Sequence, residues 1–199
     1  MLSADINNLI TLIGRLPGMG ERSATRIVIH LLKHKGSVLK SLIGLLVKAE
    51  THSVVCKVCN NVDIGDVCSI CSNKRRNDSL LCVVCDISDL WSIEMANFFD
   101  GTYHVLGGKL SAIDGVTPSD LNMDGLLKRI SSGTIQEVII ATSADIDGQT
   151  TLYYVHHQLQ NYPNIKITTL AHGVPIGTTF EYLDQNTIIT AFNRRMAVQ

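Results

Sequence analysis

Two Cys-x-x-Cys pairs decide the fold, Cys56-Lys57-Val58-Cys59 and Cys68-Ser69-Ile70-Cys71, with eight residues between them. A Cys-x-x-Cys turn brings two thiolates to one ion, and two such turns supply the four sulfur ligands that zinc prefers. Four protein ligands leave no position for water. The pattern therefore predicts one structural zinc ion per chain, held by Cys56, Cys59, Cys68 and Cys71. Two disulfides or four free buried thiols are the alternatives.

The 199-residue chain is long enough to bury a core, and no apolar run reaches the roughly 18 residues of a membrane span. The apolar stretch at 38–47 is broken by Lys40 and Ser41. No basic segment precedes an apolar stretch at the N-terminus, so no signal peptide is expected. We therefore expect a cytoplasmic protein without a membrane partner, in a compartment where thiols stay reduced.

The near-neutral net charge hides an uneven distribution. Residues 1–78 carry eleven Lys and Arg against six Asp and Glu, whereas residues 79–199 carry six against twelve. A basic front end favours contact with a polyanion, although a positive excess is also common on solvated surfaces.

The basic half contains a short hairpin between two amphipathic stretches. Apolar residues at helical spacing predict helices over 4–15 and 23–32, joined by Leu16-Pro17-Gly18-Met19-Gly20. The exposed N–H groups of Gly18 and Gly20, beside a helix start, predict a site for one phosphate group without sequence reading. Arg22 and Arg26 would flank the same phosphates. The alternative is a purely structural hairpin with solvated arginines.

A third amphipathic stretch covers residues 38–51 and predicts a core helix. The residues of its apolar face are Leu42, Leu45, Leu46 and Ala49. Three histidines in this half lack a common ligand spacing and are interpreted as surface or packing residues: His30, His34 and His52.

Strand and helix patterns alternate in the acidic half. Strands are predicted at 80–84, 102–106, 137–142 and 166–170, with helices at 90–99 and 149–160. Thr117-Pro118-Ser119-Asp120 is typical of a helix start, and Gly125 is expected to divide the next segment into a turn and a helix ending near Ser131. This alternation predicts a parallel sheet with helices on both faces.

Acidic residues follow two of these strands. Asp86 follows the first strand and Asp145-x-Asp147 follows the strand at 137–142, which makes Asp86, Asp145 and Asp147 a candidate cluster. An Asp-x-Asp at a strand end resembles the Mg²⁺ site of Toprim domains, which use it for phosphoryl transfer. A catalytic Toprim domain ends its first strand in Glu, but this chain has Cys85, and sulfur is a poor Mg²⁺ ligand. Capping of the following helix is therefore the favoured role of Asp145 and Asp147.

Two other motifs do not fit their usual chemistry. Cys82-x-x-Cys85 lies in an apolar strand pattern without a helix start, so both thiols are expected to be buried and unreactive. Gly107-Gly108-Lys109-Leu110 resembles a phosphate loop but has Leu110 where Mg²⁺ needs a hydroxyl, and Tyr103 where the first Gly belongs.

The order of these parts resembles the RecR family of bacterial recombination mediators. The resemblance rests on residues 16–20, the four cysteines with Ile70-Cys71-Ser72-Asn73, Cys82-Val83-Val84, Leu106-x-Gly108-x-Leu110-Ser111, Asp114-Gly115 with Pro118, and Ala171-His172-Gly173-Val174-Pro175-x-Gly177. Together these motifs cover nearly the whole chain.

The resemblance implies a multidomain α+β protein. Its parts would be a helix-hairpin-helix DNA-binding region at 1–53, a four-cysteine zinc finger at 54–76, an α/β Toprim domain with a parallel sheet at 77–172, and a Walker-B-like tail at 173–199 that carries Glu181 and Asp184. It also implies a homotetrameric ring that encircles DNA. Without catalysis of its own, the ring would act with RecO and RecF to load recombinase onto gapped or single-stranded DNA in recombinational repair.

Departures from the family pattern lie at the acidic cluster. Besides Cys85, the stretch at 143–149 replaces an Asn-Pro-x-x-Glu-Gly-Glu-like segment, which weakens a metal or RecO role for the Toprim acids. A Mg²⁺-dependent Toprim nuclease or strand-passing enzyme is the alternative function. A zinc-ribbon adaptor that contacts only proteins is a third hypothesis.

Overall fold

The computed structural model describes residues 2–171, 173–193 and 195 and divides the chain into two compact units. The first unit extends to Ser53 and the second begins at Val54. His172 in the predicted Ala171–Gly177 motif, and the ends of the predicted 1–53, 77–172 and 173–199 segments, lie partly outside the described residues.

The first unit is helical. It contains α1 (Ala4–Gly14), α2 (Glu21–Lys33), a π-helical turn (Lys35–Leu39) and α3 (Lys40–His52). Its buried apolar residues repeat at helical spacing on one face of α2, which packs on α1: Ala24, Val28 and Leu31. The predicted first two helices are therefore present, with α2 beginning two residues earlier than expected.

The prediction that the third helix is a core helix is wrong for the chain alone. No residue of α3 is buried by the described residues. Leu45 is 64% exposed and Leu46 is 58% exposed, and their apolar neighbours on the helix are exposed as well. The predicted amphipathic helix is present, but the buried face of α2 packs on α1 and not on α3.

The second unit begins inside the first strand of a cysteine-rich ribbon (residues 53–76) and ends with a small helix-bearing tail. Its elements are β1 (Ser53–Val55), β2 (Val62–Ile64), α4 (Ser69–Ser72), β3 (Asn77–Val84), α5 (Ile87–Met95), β4 (Gly101–Val105), a 3-10 turn (Pro118–Asp120), α6 (Met123–Ser131), β5 (Glu137–Ala141), α7 (Ile146–Leu159), β6 (Lys166–Thr169), a 3-10 turn (Phe180–Tyr182) and α8 (Gln185–Asn193). The prediction that Gly125 divides a turn from a helix is wrong. Gly125 lies in the first turn of α6, where Asn122 caps its N–H.

The four long strands form one parallel sheet in the order β4-β3-β5-β6. Val84, at the end of β3, pairs with Val105 on one side and Ala141 on the other. One face of the sheet packs on α6 and α7 through Leu81, Val83 and Val138. The other face packs on α5 and on the cysteine-rich ribbon through Cys82 and Val84. The predicted parallel sheet with both faces covered is confirmed.

No helix in the described part of the chain is long and apolar enough to cross a membrane.

Candidate metal centre and nucleic-acid interface

The four predicted ligands come together in one cluster. The Sγ atoms of Cys56, Cys59, Cys68 and Cys71 all lie within 4.8 Å of one another, and those of Cys59 and Cys68 are 3.5 Å apart. A tetrahedral zinc with Zn–S bonds of about 2.3 Å holds its sulfurs about 3.8 Å apart. All six cysteines lie in the described range and none forms a disulfide. The cluster is placed to bind a metal ion, and its donor set fits zinc.

Backbone N–H groups point at the sulfur atoms. Cys68 N donates to Cys56 Sγ at 3.3 Å, and Cys71 N donates to Cys68 Sγ at 3.4 Å. Burial raises the pKa of the Cys56 thiol, but N–H donors from Cys68, Cys59 and Val58 outweigh it and bring this pKa to about 7. Burial raises the pKa of Cys68 to about 11. A bound cation must therefore displace protons, and its affinity should fall as the pH falls.

Local hydrogen bonds shape the cysteine ribbon. Cys56 N donates to the Asn61 carbonyl at 2.7 Å and closes the first turn. The Asp63 carboxylate accepts from Ser69 N at 2.8 Å and from Ile64 N at 2.7 Å, which holds the pKa of Asp63 below its usual value. These hydrogen bonds connect the two Cys-x-x-Cys turns without a metal ion.

The predicted hairpin of the first unit is a tight turn. Met19 N donates to the Leu16 carbonyl at 3.0 Å, and Gly18 has φ +76°, a left-handed conformation that favours glycine. Gly20 is the N-cap of α2, and its carbonyl accepts from Ala24 N at 2.9 Å. A Cβ at Gly18 or Gly20 would have no heavy atom of the described residues within 4 Å, so the turn is open to an approaching ligand.

Arg22 and Arg26 lie one turn apart on the exposed side of α2. Among the described residues neither guanidinium takes part in an ion pair. Further along the same helix, the rings of His30 and His34 are exposed, with centroids 4.5 Å apart. The structure thus leaves the charges of both arginines available to an external anion.

The acids that follow β3 cap a helix. Asp86 is the N-cap of α5 and accepts from Ser88 N at 2.8 Å, which lowers the pKa of Asp86. Asp89 completes the capping box by accepting from Asp86 N at 3.1 Å. Both carboxylates therefore have local backbone partners.

The acids that follow β5 lie at the same edge of the sheet, because β3 and β5 are adjacent. Asp145 is the N-cap of α7 and accepts from Gly148 N at 2.7 Å. The capping interpretation is confirmed for Asp145, with the helix starting at Ile146 rather than near Gln149. Asp147 lies in the first turn and does not cap the helix.

The Cys82 and Cys85 side chains are buried, as predicted. Their exposed fractions are 3% and 2%, and burial raises the pKa of each thiol to about 12. Neither is a nucleophile at neutral pH.

The predicted tail residues lie around the second 3-10 turn. Glu181 is exposed within that turn. The Asp184 carboxylate accepts from Thr187 N at 3.0 Å and from the Thr187 hydroxyl, which lowers the pKa of Asp184. Asp184 thus stabilises the start of α8.

Several contacts that hold the ribbon in place cannot be predicted from the sequence, because they join distant residues. Arg76, which closes a basic run at the end of the ribbon, pairs with Glu94 and donates to the carbonyls of Phe99 and Gly101 at 3.1 and 3.2 Å. Trp91 Nε1 donates to the buried Asn61 side chain at 3.1 Å. These contacts attach the ribbon to α5 and to the start of β4, and no local pattern indicates them.

Comparison with known proteins agrees with this architecture. Residues 6–49 match the family model "RecR, helix-hairpin-helix", and residues 79–171 match the Toprim domain. The chain is 46% identical over 191 residues to "Recombination protein RecR" of Brucella melitensis biotype 1, covering 96% of this chain and 94% of that protein. The protein of the same name from Sphingopyxis alaskensis is 43% identical over 198 residues, covering 100% of both chains.

Proposed function

Because the chain belongs to the RecR family, we propose that it is a DNA-binding mediator of recombinational repair that performs no catalysis of its own. In this proposal a ring of chains encircles DNA and acts with RecO and RecF to load recombinase onto gapped or single-stranded DNA. The proposed segments are the DNA-binding region 1–53, the zinc finger 54–76, the Toprim domain 77–172 and the tail 173–199.

The observation that carries the proposal is the open hairpin. No heavy atom of the described residues lies within 4 Å of a Cβ placed at Gly18 or Gly20, so a ligand can approach the backbone at the start of α2, and Arg22 and Arg26 continue along the exposed side of this helix. Backbone N–H groups at a helix start bind a single phosphate, and the arginines add charge without reading bases. This arrangement supports contact with the DNA backbone irrespective of sequence.

Zinc is the metal we propose for the cysteine cluster. Four thiolates at tetrahedral spacing suit zinc, and they leave no open coordination position for a substrate. When bound, the ion supplies cross-linking of the ribbon, not Lewis-acid chemistry. The four cysteines would hold the ion, and the hydrogen bond from Trp91 to Asn61 attaches the ribbon to α5.

Oligomerisation is supported by the exposed face of α3. Leu42, Ile43, Leu45 and Leu46 are between 38% and 64% exposed along this single helix. Contiguous apolar surface of this kind marks an interface between proteins. A ring would also multiply the weak phosphate contacts of each chain through effective concentration.

The test is DNA affinity across a salt series for Arg22→Ala combined with Arg26→Ala. We expect weaker binding at low salt and a flatter dependence of log affinity on log salt, by about 0.9 for each phosphate that the variant no longer neutralises. Fluorescence anisotropy of a labelled oligonucleotide measures both quantities.

The matched control is Lys128→Ala combined with Lys166→Ala, which removes the same charge from exposed positions of the second unit. This control should keep the wild-type salt slope. If the wild type, the arginine variant and the control had the same salt slope, the hairpin would not take part in DNA binding.

The enzymatic alternative requires Mg²⁺ at the Toprim acids. The buried thiol of Cys85, at the position where a catalytic domain has Glu, disfavours it. We expect no cleavage of labelled DNA during incubation with Mg²⁺ or Mn²⁺. Cleavage that Asp147→Asn abolishes would favour the enzyme.

A further inference from the structure

The Gly107-Gly108-Lys109-Leu110 loop crosses the carboxyl edge of the sheet and is fixed at both ends. Gly107 N donates to the Cys85 carbonyl at 3.0 Å, with φ +89° at Gly107. Leu110 N donates to Oγ1 of the fully buried Thr151 on α7 at 2.9 Å. The backbone therefore holds Lys109 between the end of β3 and the first turns of α7.

The Lys109 side chain reaches the carboxylate that follows β5. Its Nζ lies 2.7 Å from Asp145 Oδ2 and 3.4 Å from Ser143 Oγ. The other oxygen, Asp145 Oδ1, accepts from Ser143 Oγ at 2.8 Å and from Gly148 N at 2.7 Å. Both oxygens of Asp145 are thus occupied, and the hydrogen bond from Lys109 is the first cause that lowers the pKa of Asp145 to about 2.

Within the described part of the chain, the acids at this edge, Asp147 included, do not converge into a group that could hold a metal ion. Cys85 presents a buried sulfur, and the Asp86 and Asp89 carboxylates accept backbone N–H groups in the capping box of α5. Mg²⁺ needs several oxygen ligands in near-octahedral geometry. The donor set of this chain therefore does not fit the metal that a catalytic Toprim domain holds.

We infer that the Lys109 ammonium is the resident cation at Asp145 and takes the place of a divalent metal ion. An ammonium satisfies Asp145 and Ser143 by donating hydrogen bonds, and its loop is already anchored at Cys85 and Thr151, so no metal has to be recruited. The residues that resemble an imperfect phosphate loop thus position a cation. This inference does not depend on DNA binding.

The first test uses the zinc-loaded 199-residue chain. We expect that Mn²⁺ does not bind to this chain. The electron paramagnetic resonance signal of free Mn²⁺ measures the binding. We also expect the same midpoint of thermal unfolding in MgCl2 as in NaCl of equal ionic strength. Mn²⁺ binding that Asp145→Asn abolishes would overturn the inference.

The second test restores the missing carboxylate. In Cys85→Glu the positive charge of Lys109 compensates the new carboxylate. The thermal stability of this variant should therefore not change in Mg²⁺. In Cys85→Glu with Lys109→Met the carboxylates lack that charge. We expect this double variant to bind Mn²⁺ about tenfold or more tightly than Cys85→Glu and to gain thermal stability in Mg²⁺.

The matched control is Cys85→Glu with Lys57→Met, which removes an ammonium from the Lys57–Asp66 pair in the ribbon. It should behave as Cys85→Glu alone. Equal Mn²⁺ affinity of Cys85→Glu with and without Lys109→Met would overturn the inference, because Lys109 would then not occupy the cation position. Should the double variant fold only in Mg²⁺, the inference is supported; should it fold in neither buffer, the first test decides.

Discussion

At the scale of single residues, His104 is a buried base with an incomplete set of partners. It lies on β4 and is fully buried, with Nε2 2.8 Å from the Asn122 carbonyl. Since a carbonyl only accepts, Nε2 carries the proton and donates. Nδ1 has no partner among the described residues. Burial lowers the pKa of His104 to about 4 from an ordinary 6.5.

This depressed pKa predicts a loss of stability in acid. Above pH 6.5 His104 is neutral in both the folded and the unfolded chain, so its contribution is fully present. Between pH 6.5 and pH 4 only the unfolded chain takes up the proton. The free energy of unfolding should therefore fall by up to about 1.4 kcal/mol per pH unit in this window. Urea unfolding at a series of pH values measures the slope.

His104→Gln should flatten that slope, whereas His157→Gln, at an exposed position of α7, should keep it. Protonation of the cysteine cluster also acts in acid, but it is common to all three proteins and cancels in the comparison. Identical slopes for wild type and His104→Gln would show that this histidine does not titrate differently in the two states.

At the scale of elements, the cysteine ribbon is part of the Toprim core. The Cys59 carbonyl accepts from Val105 N at 2.8 Å, and the Asn60 side chain donates to the Val105 carbonyl at 3.3 Å. Val105 belongs to β4, an edge strand of the sheet. The ribbon therefore covers part of the open sheet edge at β4. Unfolding of the ribbon should also destabilise the sheet.

Cys68→Ser is expected to abolish stoichiometric zinc and to lower stability by roughly several kcal/mol, because metal binding is folding energy for such ribbons. The chain has one tryptophan, Trp91, and its emission should shift, since its Asn61 partner lies in the ribbon. Metal analysis and fluorescence-monitored unfolding measure these effects. Cys85→Ser is the control and should keep its zinc. A folded, metal-free Cys68→Ser with wild-type stability would contradict the structural role.

At the scale of the whole molecule, the proposal predicts assembly. Light scattering should give four times the mass of one chain. Leu45→Glu with Leu46→Glu, on the exposed face of α3, should reduce that mass, because charges are costly in an apolar interface. Ile113→Glu, at a position 95% exposed in the second unit, is the control and should leave the mass unchanged. A chain that stays monomeric and does not bind DNA would contradict the proposed ring around DNA.

The sequence by itself determined the features that depend on short spacings. The cysteine pairs predict their cluster because a Cys-x-x-Cys turn closes within four residues. The alternation in the second half predicts a parallel sheet because apolar periodicity is local. Leu16–Gly20 predicts the turn for the same reason, since Gly18 needs the left-handed conformation that the structure gives it.

Only the tertiary structure decided which distant residues meet. Lys109 and Asp145 are 36 residues apart, Trp91 and Asn61 are 30 apart, and neither pair has a periodic signal. The amphipathic pattern of α3 specified an apolar face but not its partner, and among the described residues that face stays exposed. Local propensity fixes an element and its faces, whereas the packing of whole elements fixes what each face and each charge contacts.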